Sequence, residues 1–380
     1  MSATALDTPF LDGGLRSTNY FNGRILSRED LQRDRDAGRA IDQRLGLALG
    51  HGIVSGFEVE AKAIGGSSIQ QPVVTVRAGL AVNRSGQTVA LDRDVDVALL
   101  QPTGTATSSS SSSSSASTLA GSFNTCAPPD DNVYVTGTGV YLLTVSPASA
   151  KQGLALVSGL GNGAASCNAK EIVEGVQFRL FQVSALSGAQ LADDAHLRNV
   201  AAYKFFFAAL GGTGADVDVL RAPFGVAAAA PALTDVAPTD CDVPLALLNW
   251  TALGGLRWVD LWSVRRRLAC APLPGQVPVG PDADLSATGE AMLLQFQEHI
   301  QSLRVSATPP QKMGDAFRFL PPAGLVPLGG VAGALGFDSA GFFTEFSTRV
   351  PMFIEGARVR PFLRLATTFP PITVGDPELL

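Results

Sequence analysis

NYFNGRILSREDLQRDRDAGRAIDQRLGLALGHGIVSGFEVE, residues 19–60, is a polar helix that runs directly into a strand, and the rest of the chain reads outward from it. Ser27 is a good N-cap. Asp30, three residues on, is placed to return a hydrogen bond to the cap and favours the positive end of the helix dipole. Leu26 and Leu31 fit a hydrophobic staple across that cap. Gly50 and Gly52 supply the stop, because glycine takes a left-handed C-terminal conformation without strain. The spacing predicts a helix over 28–49.

That helix changes character along its length. Residues 28–44 hold five arginines and five acidic residues, a net charge of zero, whereas residues 45–49 are almost wholly apolar. Glu29 with Arg33 and Asp36 with Arg39 stand at spacings where opposite charges meet, each pair contributing about 0.2–0.5 kcal/mol. So charged a helix belongs on a surface. Leu31, Ile41, Leu45 and Ala48 form a narrow seam, interrupted by Asp34 and Gly38 where a coiled coil would need apolar residues. Two readings follow: a solvated helix packed by its last turns against a sheet, or a helix docking into another subunit of an assembly.

Composition sets the outer bounds. At 380 residues the chain is long enough for two or three modules. Hydrophobic residues make up 46% and charged residues 16%, which leaves little charge to keep a lone monomer soluble and points to subunit contact, a homo-oligomer in the first instance. Forty glycines and 24 prolines favour many turns and short strands. A formal charge of −6 gives no basic field for phosphates, so nucleic-acid binding is not expected. The start of the chain shows neither a basic region nor an apolar one of signal-peptide type, and no run of 18 apolar residues exists, so no transmembrane segment is expected. The expected place of synthesis and assembly is the cytoplasm, with export only as part of a released particle. Cys126, Cys167, Cys241 and Cys270 form no CxxC pair and read as unpaired thiols, although a bond between Cys241 and Cys270 would bracket the hairpin described next.

Taken in order, the chain divides into an extended arm (1–18), a helix-plus-meander module (19–100), a serine-rich loop or linker (101–122), a β-rich middle module (123–275) and a C-terminal module rich in phenylalanine and proline (276–380). The expected class is α+β: β-rich, with short antiparallel strands and hairpins and helices at about 28–49, 193–210 and 286–305. A strand is expected over 53–61, a hairpin across 83–86, and proline-broken strands over 317–372. Residues 153–165 read as a glycine-rich loop. Residues 243–268, VPLALLNWTALGGLRWVDLWSVRRRL, form a hairpin across Gly254-Gly255 that gathers all three tryptophans, Trp250, Trp258 and Trp262. They are expected to form a core layer, an exposed interface or a stacking surface for a cell-surface glycan. Arg265, Arg266 and Arg267 read as a solvated strand end or a partner contact.

No catalytic or metal constellation emerges, and no cofactor is expected. Asp92, Asp94 and Asp96 have the alternate spacing of a calcium loop's first ligands, but the turn glycine is missing and Thr103 stands where glutamate is required. On a strand the three carboxylates fall on its wet face. Gly159, Gly161 and Gly163 lack the lysine and hydroxyl of a phosphate loop. His51, His196 and His299 are scattered.

The order Tyr20-Phe21-Asn22-Gly23-Arg24-Ile25-Leu26, then Asp30-Leu31-Gln32, then a charged helix and His51-Gly52-Ile53-Val54-Ser55-Gly56-Phe57-Glu58-Val59, resembles the start of poorly characterised proteins encoded beside contractile phage-tail and extracellular contractile-injection structural genes. Ala78-Gly79-Leu80-Ala81-Val82, the run from Val243 to Arg267 and Phe319-Leu320-Pro321-Pro322-Ala323-Gly324 agree with it. The resemblance implies a non-enzymatic particle component, in the baseplate, fibre base or an adaptor layer, whose partners are copies of itself and other particle structural proteins. Tyr20, Phe21, Arg24, Leu31, Ile41, the three tryptophans and the three arginines are the candidate interface. A receptor- or glycan-binding module is the second expectation, and a polysaccharide-acting enzyme the third.

Overall fold

The computed structural model describes residues 14–62, 73–99, 137–156, 167–186, 188–209, 233–251, 254–269, 283–306, 308–326, 339–342, 354–367, 369 and 371–374. The first 13 residues of the arm, the serine-rich run, Gly159, Gly161, Gly163, Phe343, Phe346 and Phe353 lie outside these. Within them the fold is mixed α+β and β-rich, with antiparallel strands in small sheets.

Helix α1 (Arg28–Leu49) begins and ends where its caps predict. The Asp30 N–H donates to the Ser27 hydroxyl at 3.2 Å, and the Ser27 N–H donates to the Asp30 carboxylate at 3.1 Å. At the far end Gly50 takes φ 97° and donates its N–H to the Gly46 carbonyl.

The single strand expected over 53–61 is two, β1 (Gly52–Gly56) and β2 (Val59–Ala61). Between them Gly56 and Phe57 adopt φ of 64° and 60°, which swings the chain from one sheet into another. A phenylalanine in the left-handed region costs about 1–2 kcal/mol, and complete burial of its ring offsets this. Strands β3 (Val73–Val76) and β4 (Gly79–Val82) divide in the same way, so that β1-β4-β5 and β2-β3-β6 form two three-stranded sheets with β5 (Thr88–Leu91) and β6 (Val95–Ala98). The hairpin expected across 83–86 joins β4 to β5.

A second group of strands, β7 (Gly139–Leu156), β8 (Cys167–Gln182), β9 (Val243–Thr251) and β10 (Gly255–Asp260), pairs in the order β10-β9-β7-β8. Strand β7 takes in Gly153, read as the start of a loop, at φ 67°. The tryptophan hairpin across Gly254-Gly255 is present as β9 and β10. One core cluster joins Ile53, Phe57, Val74 and Val89 to Tyr141, Leu143, Leu245 and Leu248, so the sheets on either side of the serine-rich run share a single interior.

Helices α2 (Gly188–Ala192), α3 (Asp194–Ala209) and α4 (Ala283–Arg304) pack over the four-stranded sheet and the C-terminal segment. The apolar end of α3 is buried, as its composition requires: Tyr203 and Phe206 are fully enclosed, and Tyr203 stacks on Phe319. Beyond it lie a 3-10 turn (Met313–Asp315), β11 (Phe319–Leu320), α5 (Ser339–Phe342), α6 (Gly356–Ala366) and β12 (Ile372–Thr373). The expectation of proline-broken strands fails at α6, which carries Pro361 inside it. A proline costs a helix one hydrogen bond, and the alanines, leucines and arginines around it are good enough helix formers to tolerate that. The expectation of unpaired thiols fails at Cys241, which is disulfide-bonded.

Candidate functional site

Helix α1 is held to the body at few points. Of its side chains only Asp30 and Ala37 are buried, together with Gly46. Its last turns cross the β4–β5 hairpin, where the Gln43 amide donates to the Ser85 carbonyl at 2.7 Å and Gly46 lies against Gly86. Midway, Arg35 and Arg39 reach Glu174 on β8. At its start the preceding segment wraps the cap: Arg24 donates to Asp30 and to the Asn19 carbonyl, and Thr18 donates to the Asp30 carbonyl at 2.6 Å.

Much of the rest of α1 is uncovered. Leu31 is 56% exposed, Ile41 50%, Leu45 58% and Leu49 60%, and Ile25 just before the helix is 93% exposed. Tyr20 and Phe21 lie open beside them, with the Arg24 guanidinium over the Phe21 ring. Residues three and four apart share a helix face, so Ile41, Leu45 and Leu49 line one exposed stripe in the second half of α1, with Leu31 exposed near its start. Scattered exposed leucines are ordinary; several large apolar side chains exposed along one helix, here interrupted at Asp34 and Gly38, mark an interaction surface. Five of the eleven residues singled out in the sequence, Tyr20, Phe21, Arg24, Leu31 and Ile41, lie on α1 or the segment that leads into it, and all of them except Arg24 are exposed.

The other six do not. Trp250, Trp258 and Trp262 are each partly buried, and each packs against a different cluster, so their rings form no common platform for a sugar. Arg265 is 6% exposed, donates to the Gly56 carbonyl and lies over the Trp262 ring. Burial holds its pKa below the usual arginine value, with Glu58 working against that. Arg266 donates to the carbonyls of Trp262, Ser263 and Arg265 and covers the Phe206 ring. Only Arg267 stays in water, 3.4 Å from Glu290. The arginines expected at a solvated strand end therefore mostly close a loop.

A buried ionic junction was not legible in the sequence. Arg198 on α3 donates to Asp260 at the end of β10 at 2.6 Å, to Glu298 at 2.9 Å and to Ser302 at 3.0 Å, the last two on α4. Gln295 donates to Asp260 at 3.0 Å, and Ser263 bonds it through both hydroxyl and N–H. Burial raises the cost of charge on Asp260, yet Arg198, Ser263 and Gln295 outweigh it and hold the carboxyl below its ordinary value. Burial and the neighbouring Asp260 push Glu298 up to about 7. Burial, helped by Arg198, pushes His299 down to about 3, which leaves it neutral against the Phe317 ring. A carboxyl titrating near 7 is suited to proton transfer. Here, however, Glu298 accepts from Arg198, and the junction ties three elements together. A 610 Å³ groove beside α1 and a 340 Å³ cavity near His196 are lined by other residues.

His196, expected on the polar start of its helix, is also enclosed. Its Nδ1 lies 2.8 Å from both Asp193 oxygens and its Nε2 lies 2.9 Å from the Gly314 carbonyl, so both ring nitrogens face acceptors. Asp94 accepts from Arg77 and from the Ala78 N–H, and Asp96 from Lys62 and Thr75, so these carboxylates face water and pair with cations. Among the described residues no group of three or more His, Cys, Asp or Glu is placed to hold a metal ion, and no helix is long and apolar enough to cross a membrane. No protein-family model matches the chain, and no curated protein matches it.

Proposed function

We propose that the chain is a non-enzymatic structural subunit of a phage-tail-like contractile injection particle, in its baseplate, fibre base or an adaptor layer, and that it assembles through the outer face of α1. The observation that carries the reading is the set Leu31, Ile41, Leu45 and Leu49, each at least half exposed on a helix that buries few of its side chains. Burying such side chains stabilises an interface by about 1.5–3 kcal/mol each, and leaving them in water forgoes that. The low proportion of charged residues, 16%, supports the same reading. The assignment to a contractile particle rests on the motifs between Tyr20 and Val59 and those at 78–82, 243–267 and 319–324. Assembly in the cytoplasm and departure within a released particle follow from it.

Two measurements test this. Mass spectrometry of purified sheathed particles should find the chain as a stoichiometric component. Size-exclusion chromatography with mass measurement, on the chain alone and with the products of neighbouring genes, should find it in a complex. A solitary monomer in both settings, missing from the particles, would refute the proposal.

A further inference from the structure

We infer that α6 is a membrane-surface helix, which lies on an anionic lipid bilayer with Phe362 and Leu365 at the headgroup boundary and Arg360 and Arg364 on lipid phosphates. The inference goes beyond the assembly reading above and concerns a different face of the molecule.

Helix α6 (Gly356–Ala366) buries none of its residues. Its last turn holds it to the body. Leu363, Ala366 and Thr367 are half-buried, and Thr367 lies so close to α4 that a Cβ on Gly289 would stand 2.1 Å from its carbonyl oxygen. Residues three and four apart share a helix face, so these three mark the attached side, and the same rule gives α6 two further sides. Phe362 and Leu365, 50% and 58% exposed, share one of them with Arg358. Arg360 and Arg364, both exposed, occupy the other. Ile354 just before the helix and Phe369 just after it are exposed as well, so apolar surface continues past both ends.

Charge and composition together say what covers these sides. Residues 355–366 hold three arginines against one glutamate, a net charge of +2 in a chain whose total is −6. Arg358 is matched by Glu355 at 3.4 Å, so the surplus is that of Arg360 and Arg364. Apart from its arginines, GARVRPFLRLA has no polar side chain: no hydroxyl, amide or carboxylate. A protein interface sets its register with directional polar contacts around an apolar centre. A bilayer surface asks only for apolar area and positive charge, and a helix with phenylalanine and leucine on one side and arginine as its polar residue lies in the plane of that surface. Arginine stems reach back to the phosphates while the rings beside them sink deeper. At about 16 Å, α6 is half as long as the hydrocarbon core is thick, so it lies on the bilayer and does not span it. The acidic remainder of the chain is screened beyond about 8 Å at physiological salt, which leaves the local attraction of α6 in place.

The test floats the full chain on a density gradient with vesicles of phosphatidylcholine and phosphatidylglycerol, and with vesicles of phosphatidylcholine alone. The chain should rise with the anionic vesicles and partition at least about tenfold less onto the neutral ones. Each arginine near an anionic surface is worth about fivefold, so Arg360→Gln with Arg364→Gln should weaken partitioning about twenty-five-fold. Phe362→Ser with Leu365→Ser should weaken it about tenfold or more. Both pairs stand at exposed positions, and circular dichroism and thermal unfolding should match wild type. A wild type that fails to rise, equal flotation with both kinds of vesicle, or flotation that either double variant leaves unchanged would overturn the inference. If wild type ignores both vesicles while Phe362→Ser with Leu365→Ser removes the chain from purified particles, a protein partner covers α6 and the lipid assignment is overturned. These variants leave α1 unaltered, so a failure to bind vesicles does not touch the assembly reading.

Discussion

Gly46 of α1 and Gly86 of the β4–β5 turn meet backbone to backbone: a Cβ on Gly46 would lie 2.0 Å from the Gly86 carbonyl oxygen, and one on Gly86 would lie 2.3 Å from the Gln43 carbonyl oxygen. Such contacts leave no flexible atom to yield. The crossing of α1 over the sheet is thus fixed by two absent side chains.

Gly46→Ala should accordingly destabilise the protein by about 2–4 kcal/mol, because the backbone clash exceeds the roughly 1 kcal/mol that alanine gains in a helix. Gly38→Ala, on the open face of the same helix, should stabilise by about 0.5–1 kcal/mol. Urea unfolding of the pair separates the two glycines by sign.

Arg198→Ala should cost about 3–5 kcal/mol, since it leaves Asp260 charged and enclosed without its cation. Replacement of Arg198, Asp260 and Glu298 together by apolar residues of similar volume should recover most of that. Recovery no better than the single variant, measured by thermal and urea unfolding, would contradict the account of the junction as an ionic clamp.

The acid limb of stability should depend on His299. Its folded value, about 3, lies below the usual histidine value, so the unfolded chain takes up a proton that the folded chain refuses. Stability from this group is complete above pH 6.5 and declines as pH falls toward 3. Glu298 acts in the opposite sense: raised to about 7, it contributes stability below the ordinary glutamate range that is lost as pH rises through 7. The two roughly cancel between about pH 4.5 and 6.5; below that Glu298 no longer opposes His299, and the lowered Asp260 carboxyl adds to the decline as pH falls below the ordinary aspartate value. His299→Phe should flatten the decline between pH 4.5 and 3 in urea unfolding series, and a decline of unchanged steepness would rule His299 out.

Thiol titration in denaturant should find no more than two of the four cysteines reactive before reduction and all four after it. Four reactive thiols without reductant would contradict the bond at Cys241.

Local chemistry made α1 legible from end to end. Ser27, Asp30 and Gly50 act within a few residues of one another, so spacing alone sets both ends of the helix. The α+β class, the Gly254-Gly255 hairpin and the apolar end of α3 were legible for the same reason. Pro361 misled, because one proline weighs heavily in a pattern and only modestly in a helix of good formers.

The sequence by itself determined the ends of α1, the turn at Gly254-Gly255 and the apolar seam of α1, since these follow from residues within a few positions of one another. Only the tertiary structure decided that the seam faces outward, that the tryptophans divide among three clusters, and that Arg198 meets Asp260 and Glu298. Those outcomes depend on groups tens to a hundred residues apart along the chain, whose meeting is set by how sheets and helices stack and leaves no periodic trace in the order of residues.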